Sequence, residues 1–393
     1  MSAFDYVIVG GGMTADAAAH AIRKADAKGS IAIVAAESHA PYNRPPLTKG
    51  LWKGDDPEGI WRKTVETDAG LFLGRRIERV EPKLKRVTDD RGTAYEYGKL
   101  LLATGGTPRR LPDAPDDVIH YRTLDDYRRT RALADKGDSF AVIGGGFIGS
   151  ELAAGLRMQG REVTMIVKED GIGARVFPAE LAKWIAGYYR EKGVTVRLGE
   201  TASKVERSGR GLRVHLGGGE SVEADAVAAG LGIEPNVELA RAAGLKVTNG
   251  IEVDELCRTS AADIHAAGDV ANFYNPSLGK RIRVEHEDNA NSMGEAAGAS
   301  MAGAGRRYDH LPFFYSDLFD LGYEAVGDLD SRHQTVVDWK KEYREGVIYY
   351  LDGGRVRGVL LWNVWEQVDA ARALIAEPGP FRPEQLKDRL PAS

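Results

Sequence analysis

Cysteine is nearly missing: Cys257 is the single example in 393 residues. A redox disulfide needs a CxxC or CxxxxC pair, so disulfide chemistry within this chain is excluded. Cys257 itself, in the strand-like VDELCRTS, reads as a small packing residue. Eight scattered histidines with that one cysteine have no zinc or iron–sulfur spacing, so no metal is expected. Excess charge of one sign is also absent. The net charge is −5 with acids and bases interspersed, which argues against a nucleic-acid surface but leaves room for a local basic patch facing an acidic redox protein. No apolar run approaches the roughly 18 residues of a membrane span. The first strand pattern begins a few residues after Met1, leaving no room for a signal or transit peptide, so a cytoplasmic location is expected. With 43% hydrophobic and 28% charged residues the composition is globular, and the length suffices for two or three domains with full cores.

What the chain does have is a repeated local pattern. YVIVGGGMTA (6–15) and FAVIGGGFIGSE (140–151) are each an apolar run of strand length, a glycine-rich turn and the start of a helix. The small residues are Gly10, Gly12 and Ala15 in the first copy, and Gly144, Gly146 and Gly149 in the second. One makes a tight turn, one lets backbone approach a pyrophosphate, and one permits close helix–strand packing. The pyrophosphate would then rest on unpaired N–H groups at the helix N-terminus. An acid about 20 residues on is needed for the ribose hydroxyls. Glu37 follows Ala15 by 22 residues and Glu169 follows Gly149 by 20. One such motif is weak, but two with strand, helix and acid in register point to two dinucleotides, most economically FAD with NAD(P)H.

Along the chain the pattern predicts a helix over 15–28, a strand over 30–35 and a long charged loop, PYNRPPLTKGLW, with Arg44 and Lys49 as its cations near the ligand end of the sheet. KLLLAT (99–104) is a buried strand ending in Gly105 and Gly106, and AVAAGLG (226–232) recurs as its counterpart. Between them come a helix over 150–158, a strand over 162–167, a helix over 179–192 and a meander of short strands. The second unit therefore reads as inserted into the first. IHAAGD places Asp269 after a glycine at a strand end, where it can accept from ribityl hydroxyls or cap a helix. The helix pattern over 289–301 is rich in Ala and Gly, and VEHED (284–288) reads as a polar turn, solvated or flavin-facing. Beyond residue 306 aromatics accumulate; TVVDW, GVIYYL and RVRGVLLW, with Asp352-Gly353-Gly354 as a turn, predict an antiparallel sheet covered by a helix over 368–375. This aromatic-rich part is expected to form a core and a dimer surface.

PYNRPPLTKGLW, LLATGGTPRRLP, AVIGGGFIGSELA, AAGLGIEPNVELA, AAGDVANFY, RVEHEDNA and FYSDLFDLGYEAVG, in that order, resemble the apoptosis-inducing factor branch of FAD-dependent pyridine nucleotide oxidoreductases. That branch is close to ferredoxin and rubredoxin reductases and to monodehydroascorbate reductase. The resemblance implies an α/β chain of the glutathione reductase type with two Rossmann-like domains: FAD-binding over 1–110 and 233–308, NAD(P)H-binding over 111–232, and a C-terminal α+β interface domain over 309–393. It implies an ion pair of Lys49 with Glu151 at the flavin edge, Phe147 as an aromatic gate, and His286 and Glu285 near nicotinamide and flavin. To FAD it further assigns Thr104, Gly105, Asp269, Tyr315 and, on the phosphate or adenine side, Arg128; to NAD it assigns Ile148 and Gly232. WKKEYREGVIYY runs straight through where the animal proteins carry a long insertion, and Tyr315 stands where they have tryptophan. Their death-related and DNA-associated roles are not expected here.

The expected chemistry is hydride transfer from NADH to FAD, dominated by holding two rings in contact. Glu169 disfavours the 2′-phosphate of NADPH, with Lys168 and Arg175 near enough to oppose that preference. The electrons would pass to a ferredoxin or rubredoxin, with a quinone, monodehydroascorbate or dioxygen as other acceptors. The rival reading is an NADH-sensing flavoprotein with slow turnover, a long-lived reduced complex and a nucleotide-dependent homodimer.

Overall fold

The computed structural model describes residues 2–209 and 211–391. The chain divides into two compact units: Met1–Arg44, Glu58–Thr107 and Glu234–Pro312 form the first, and Pro45–Pro57, Pro108–Ile233 and Phe313–Ser393 the second. Both combine helices with parallel sheet, so the chain is α/β.

In the first unit, Gly70–Leu73, Ile31–Ala35, Ser2–Val9 and Ala94–Leu102 lie side by side in parallel, and Ile264–Ala266 also pairs in parallel with Ala94–Leu102. Arg86–Asp89 and Ile77–Glu81 extend the sheet in antiparallel fashion. All five residues of IAIVA are buried, as expected of a parallel strand covered on both faces. Helix Met13–Ala25 makes the crossover between the first two strands and packs closely on helix Glu287–Met301. A Cβ at Gly294 or Gly298 would fall 2.6 or 2.3 Å from the carbonyl oxygens of Thr14 or Ala18, so glycine there sets the helix separation. The first helix stops three residues before the predicted end because the Asp26 carboxylate accepts from Lys28 N and Gly29 N and closes a turn.

Two local readings need correction. VDELCRTS is a turn: Asp254 accepts from Leu256 N and Arg258 N, and Cys257 has φ +60°. The side chain of Asp254 outcompetes a ladder there. PYNRPPLTKGLW is not loop throughout, since it contains the 3-10 turn Pro45–Leu47 and the short helix Gly50–Lys53, and from Pro45 it belongs to the second unit.

The second unit has its own parallel sheet, ordered Thr195–Leu198, Glu162–Val167, Ser139–Ile143, Ala226–Ala229, Ile119–His120. Helix Phe147–Met158 links its central strand to Glu162–Val167, and helix Ala179–Glu191 links that strand to the edge. Strands Ala202–Ser208, Gly211–Leu216 and Ser221–Ala224 form an antiparallel meander. A five-stranded antiparallel sheet follows, in the order Phe313–Leu318, Leu321–Gly327, Arg355–Trp362, Glu345–Asp352, Gln334–Lys341. Its tight turn is Gly353-Gly354, both with positive φ, the two-residue connection that matches strand twist. The aromatics Tyr323, Tyr349, Tyr350 and Trp362 are its core, and helix Val368–Ala376 packs on it. Among the described residues no helix is long and apolar enough to cross a membrane.

Candidate functional site

Each parallel sheet presents a glycine cradle at the carboxyl end of its central strand. In the first unit Gly10 has φ +123°, and a Cβ on it would meet the Ala103 carbonyl oxygen at 2.1 Å. Gly12, the N-cap of the following helix, has nothing within 4 Å of a would-be Cβ. No side chain caps this helix, and Ala15 in its first turn is fully buried. Open space beside uncapped N–H groups is what a pyrophosphate requires.

Past the next strand stands Glu37. Tyr42 donates its hydroxyl to Glu37 Oε2 at 2.6 Å, and Arg44 pairs with Oε1 while lying 5.1 Å from the Tyr42 ring. Burial opposes ionisation of Glu37, yet the Arg44 charge and the Tyr42 and Arg44 hydrogen bonds outweigh it and hold the carboxyl below its ordinary value. Thr104 Oγ1 donates to the Asn236 carbonyl, Asn236 Nδ2 returns a bond to the Thr104 carbonyl, and the Gly105 carbonyl accepts from Asn236 N. Asp269 lies in the 3-10 turn Gly268–Val270. Arg283, only 11% exposed, donates to the Asp269 carbonyl at 3.0 Å and pairs with Glu285 at 2.6 Å, coupling two residues named from the sequence. His286 is the N-cap residue of helix Glu287–Met301.

The second unit repeats the cradle. Gly144 has φ +113°, with a would-be Cβ 2.4 Å from the Gly230 carbonyl oxygen, and a Cβ on Gly149 would lie 2.1 Å from the Gly144 carbonyl oxygen. Gly146 again faces open space at an uncapped N-terminus, and the first turn carries no acid. Ile148 packs close to Gly230, and Gly232 has φ +83°. Glu169 follows the Glu162–Val167 strand and pairs with Arg175 at 3.0 Å.

The same unit holds the charged pair. Lys49 Nζ lies 2.7 Å from Glu151 Oε1, their side chains 13% and 3% exposed. Glu151 Oε1 also accepts from Ser316 Oγ at 2.5 Å, and Oε2 accepts from Thr48 Oγ1 at 2.5 Å. Lys49 Nζ stands 5.2 Å from the Tyr315 ring centroid, and Phe147 meets Phe314 edge-on at 5.1 Å. Trp52 Nε1 and the Tyr121 hydroxyl both donate to the Leu47 carbonyl, fixing the backbone that carries Thr48 and Lys49. Burial, then the Glu151 charge, pushes the Tyr189 and Tyr323 hydroxyls well above their ordinary pKa, so both phenols stay protonated.

Of the residues named from the sequence, Gly10, Gly12, Ala15, Glu37, Arg44, Thr104, Gly105, Asp269, Glu285 and His286 lie in the first unit. Lys49, Gly144, Gly146, Phe147, Ile148, Gly149, Glu151, Glu169, Gly232 and Tyr315 lie in the second. Arg128 also falls in the second, on helix Leu124–Ala134, half exposed and 3.8 Å from Asp125. Tyr42, Thr48, Asn236, Arg283 and Ser316 were missed. Thr48, Tyr42 and Arg283 stand beside named residues, whereas Ser316 could be found only as a lone hydroxyl at a buried strand position. Cys257 is buried, which pushes its thiol up to about 12 and leaves it unreactive. Among the described residues no group of three or more His, Cys, Asp or Glu could hold a metal.

Two glycine cradles, each answered by an acid past the next strand, are what dinucleotide binding asks of an α/β chain. Residues 4–303 match the family described as pyridine nucleotide-disulphide oxidoreductase, and this chain belongs to it. Residues 297–342 and 337–377 match the C-terminal family described as apoptosis-inducing factor, mitochondrion-associated. The chain is 37% identical over 404 residues to the ferredoxin–NAD(+) reductase component of the anthranilate 1,2-dioxygenase system of Burkholderia cepacia, covering 99% of this chain and 98% of that one. Among solved structures it is similar to the ferredoxin reductase of the CYP199A2 system from Rhodopseudomonas palustris (TM-score 0.89, 32% identity, 97% and 96% of the two chains). It is similar also to the reductase in a covalent putidaredoxin reductase–putidaredoxin complex (TM-score 0.91, 30% identity, 99% and 96%).

Proposed function

We propose that this protein is an FAD-dependent NAD(P)H oxidoreductase that takes hydride from NADH and passes the electrons to a ferredoxin- or rubredoxin-type carrier. The observation that carries this reading is the pair of open glycine cradles together with a buried Lys49–Glu151 pair in a chain with one unreactive cysteine. FAD, when bound, supplies the capacity to take two electrons as hydride and give them up singly. It would be held by Gly10, Gly12, Ala15, Glu37, Arg44, Thr104, Gly105, Asp269, Glu285 and His286, in a Rossmann-like domain over 1–110 and 233–308.

The nicotinamide nucleotide would rest on Gly144, Gly146, Ile148, Gly149 and Gly232 in a second Rossmann-like domain over 111–232, with Phe147 as the ring that yields to nicotinamide. The C-terminal domain over 309–393 brings Tyr315 and Ser316. The unit boundaries at Thr107/Pro108 and Ile233/Glu234 support the first two cuts. Lys49 supplies a cation that favours added negative charge on the bound cofactor, and Glu151 moderates it. Glu169 accepts from the adenine ribose of NADH and repels the 2′-phosphate of NADPH. In this reading Arg128 has the weakest claim, since its partner is Asp125 on its own helix.

The carrier class is supported by the near full-length likeness to a ferredoxin–NAD(+) reductase component and by the similarity to a reductase solved with its putidaredoxin. The protein would work in the cytoplasm, where NADH is supplied, as a homodimer. Stopped-flow bleaching of the yellow holoprotein by NADH and NADPH, followed by reoxidation with added ferredoxin, rubredoxin and quinone, tests the reading. Fast NADH bleaching and carrier-dependent cytochrome c reduction are expected. The C-terminal matches at 297–342 and 337–377 favour an NADH-sensing protein, for which reoxidation would be slow with every carrier and NADH would change the mass in solution.

A further inference from the structure

Lysine is a compact charge on a flexible four-carbon stem, so a single salt bridge does not by itself hold Lys49 in one place. Glu151, its partner, is 3% exposed, and a buried carboxylate with one donor would leave its other oxygen without compensation. Both oxygens are compensated. Lys49 Nζ and Ser316 Oγ reach Oε1 at 2.7 and 2.5 Å, and Thr48 Oγ1 reaches Oε2 at 2.5 Å. The donors come from segments 103 and 165 residues away from Glu151 in the chain, and both hydroxyls are buried. Ser316 sits at an inward position of strand Phe313–Leu318, where an unbonded hydroxyl would be costly. Thr48 follows Leu47, whose carbonyl is held by two donors, so its own hydroxyl starts from a fixed backbone.

We propose that Thr48 and Ser316 are positioning residues: they fix the plane of the Glu151 carboxylate and thereby the place of the Lys49 ammonium. Both hydroxyls donate to Glu151 and act through it. The charged and titratable neighbours of the carboxylate include Lys49 and the protonated phenols Tyr121, Tyr189 and Tyr323, and the two hydroxyls orient the charge pair without adding charge. This proposal rests on the role given to Lys49 above, and its test separates the two.

The variants are Thr48→Val, Ser316→Ala, their combination, and Thr48→Ser as the conservative control; bound FAD per chain and circular dichroism verify folding. The first readout needs no turnover: the rate at which Lys49 is acylated by a water-soluble succinimidyl ester, followed by mass spectrometry. It rises several-fold in Thr48→Val and Ser316→Ala and returns to the wild-type rate in Thr48→Ser. The second is the limiting rate of cofactor bleaching at saturating NADH, which falls about tenfold in each single variant, the loss of one hydrogen bond to a charged group, while the apparent Kd for NADH changes less than twofold. Unchanged acylation and bleaching in Thr48→Val and Ser316→Ala overturn the proposal, as does a Thr48→Ser variant no better than Thr48→Val. If Lys49→Met is bleached as fast as wild type, the role of Lys49 falls, and the acylation rates alone then decide whether the hydroxyls hold it.

Discussion

Glu37 and Glu169 occupy corresponding places in the two units, one strand beyond a glycine cradle, yet their surroundings differ. Glu37 is held by a buried tyrosine and by Arg44, whose side chain is 21% exposed. Glu169 has Arg175, whose side chain is 83% exposed. An acid fixed by buried partners is preorganised, so a ligand there loses little freedom on the protein side and leaves slowly. An acid tied to a surface arginine is adjustable and suits a ligand that enters and leaves with each turnover. The contrast is the one the proposed reading asks for, in which FAD would reside in the first cradle and a nicotinamide nucleotide would pass through the second.

The strongest way to break the comparison is Gly10→Ala. The side chain would have to adopt φ +123° and would collide with the Ala103 carbonyl, so we expect a loss of about 3 kcal/mol or more and protein purified without yellow colour, measured by thermal melting and absorbance. Acid should also weaken the first unit. His265 is buried, and burial, followed by the Lys99 charge, lowers its pKa to about 4 from the ordinary 6.5. Between those values the unfolded chain takes up a proton that the folded chain refuses, so stability falls as pH drops through that window, by up to about 3 kcal/mol. His265→Phe should flatten that slope in denaturant titrations from pH 7 to 4. Glu37→Gln, which removes the carboxylate charge paired with Arg44, should cost about 2 kcal/mol and speed FAD release, read as fluorescence recovery on dilution. Glu169→Ala should leave FAD content unchanged, raise KM for NADH about tenfold and narrow the preference over NADPH; Arg175→Ala should shift the melting point by no more than an exposed pair is worth, under about 1 kcal/mol. Equal loss of FAD in Glu37→Gln and Glu169→Ala would erase the distinction between resident and passing ligand.

Much of the fold was legible because its signals are local. IAIVA, FAVI and the two glycine turns announce buried parallel strands leading into helices, and Gly353-Gly354 announces its hairpin. Where reading failed, a side chain competed with the periodic pattern, as Asp254 does around Cys257 and Asp26 at the end of the first helix. Strands Phe313–Leu318 and Leu321–Gly327 were seen only as aromatic composition, since their alternation is obscured by aromatics on both faces. In the site, residues with a backbone job were visible, and those with a side-chain job at long range were not.

Sequence alone determined that this chain carries two strand–glycine–helix units, each with its acid, because positive φ at Gly10 and Gly144 and the burial of short apolar runs are properties of a few consecutive residues. Tertiary structure decided which unit holds Lys49, since Pro45–Pro57 leaves one unit and is fastened into the other by Trp52 and Tyr121. It also decided that Thr48, Glu151 and Ser316 meet on one carboxylate. Hydrogen bonds between side chains more than a hundred residues apart leave no periodicity behind, and only the packed chain brings them within reach.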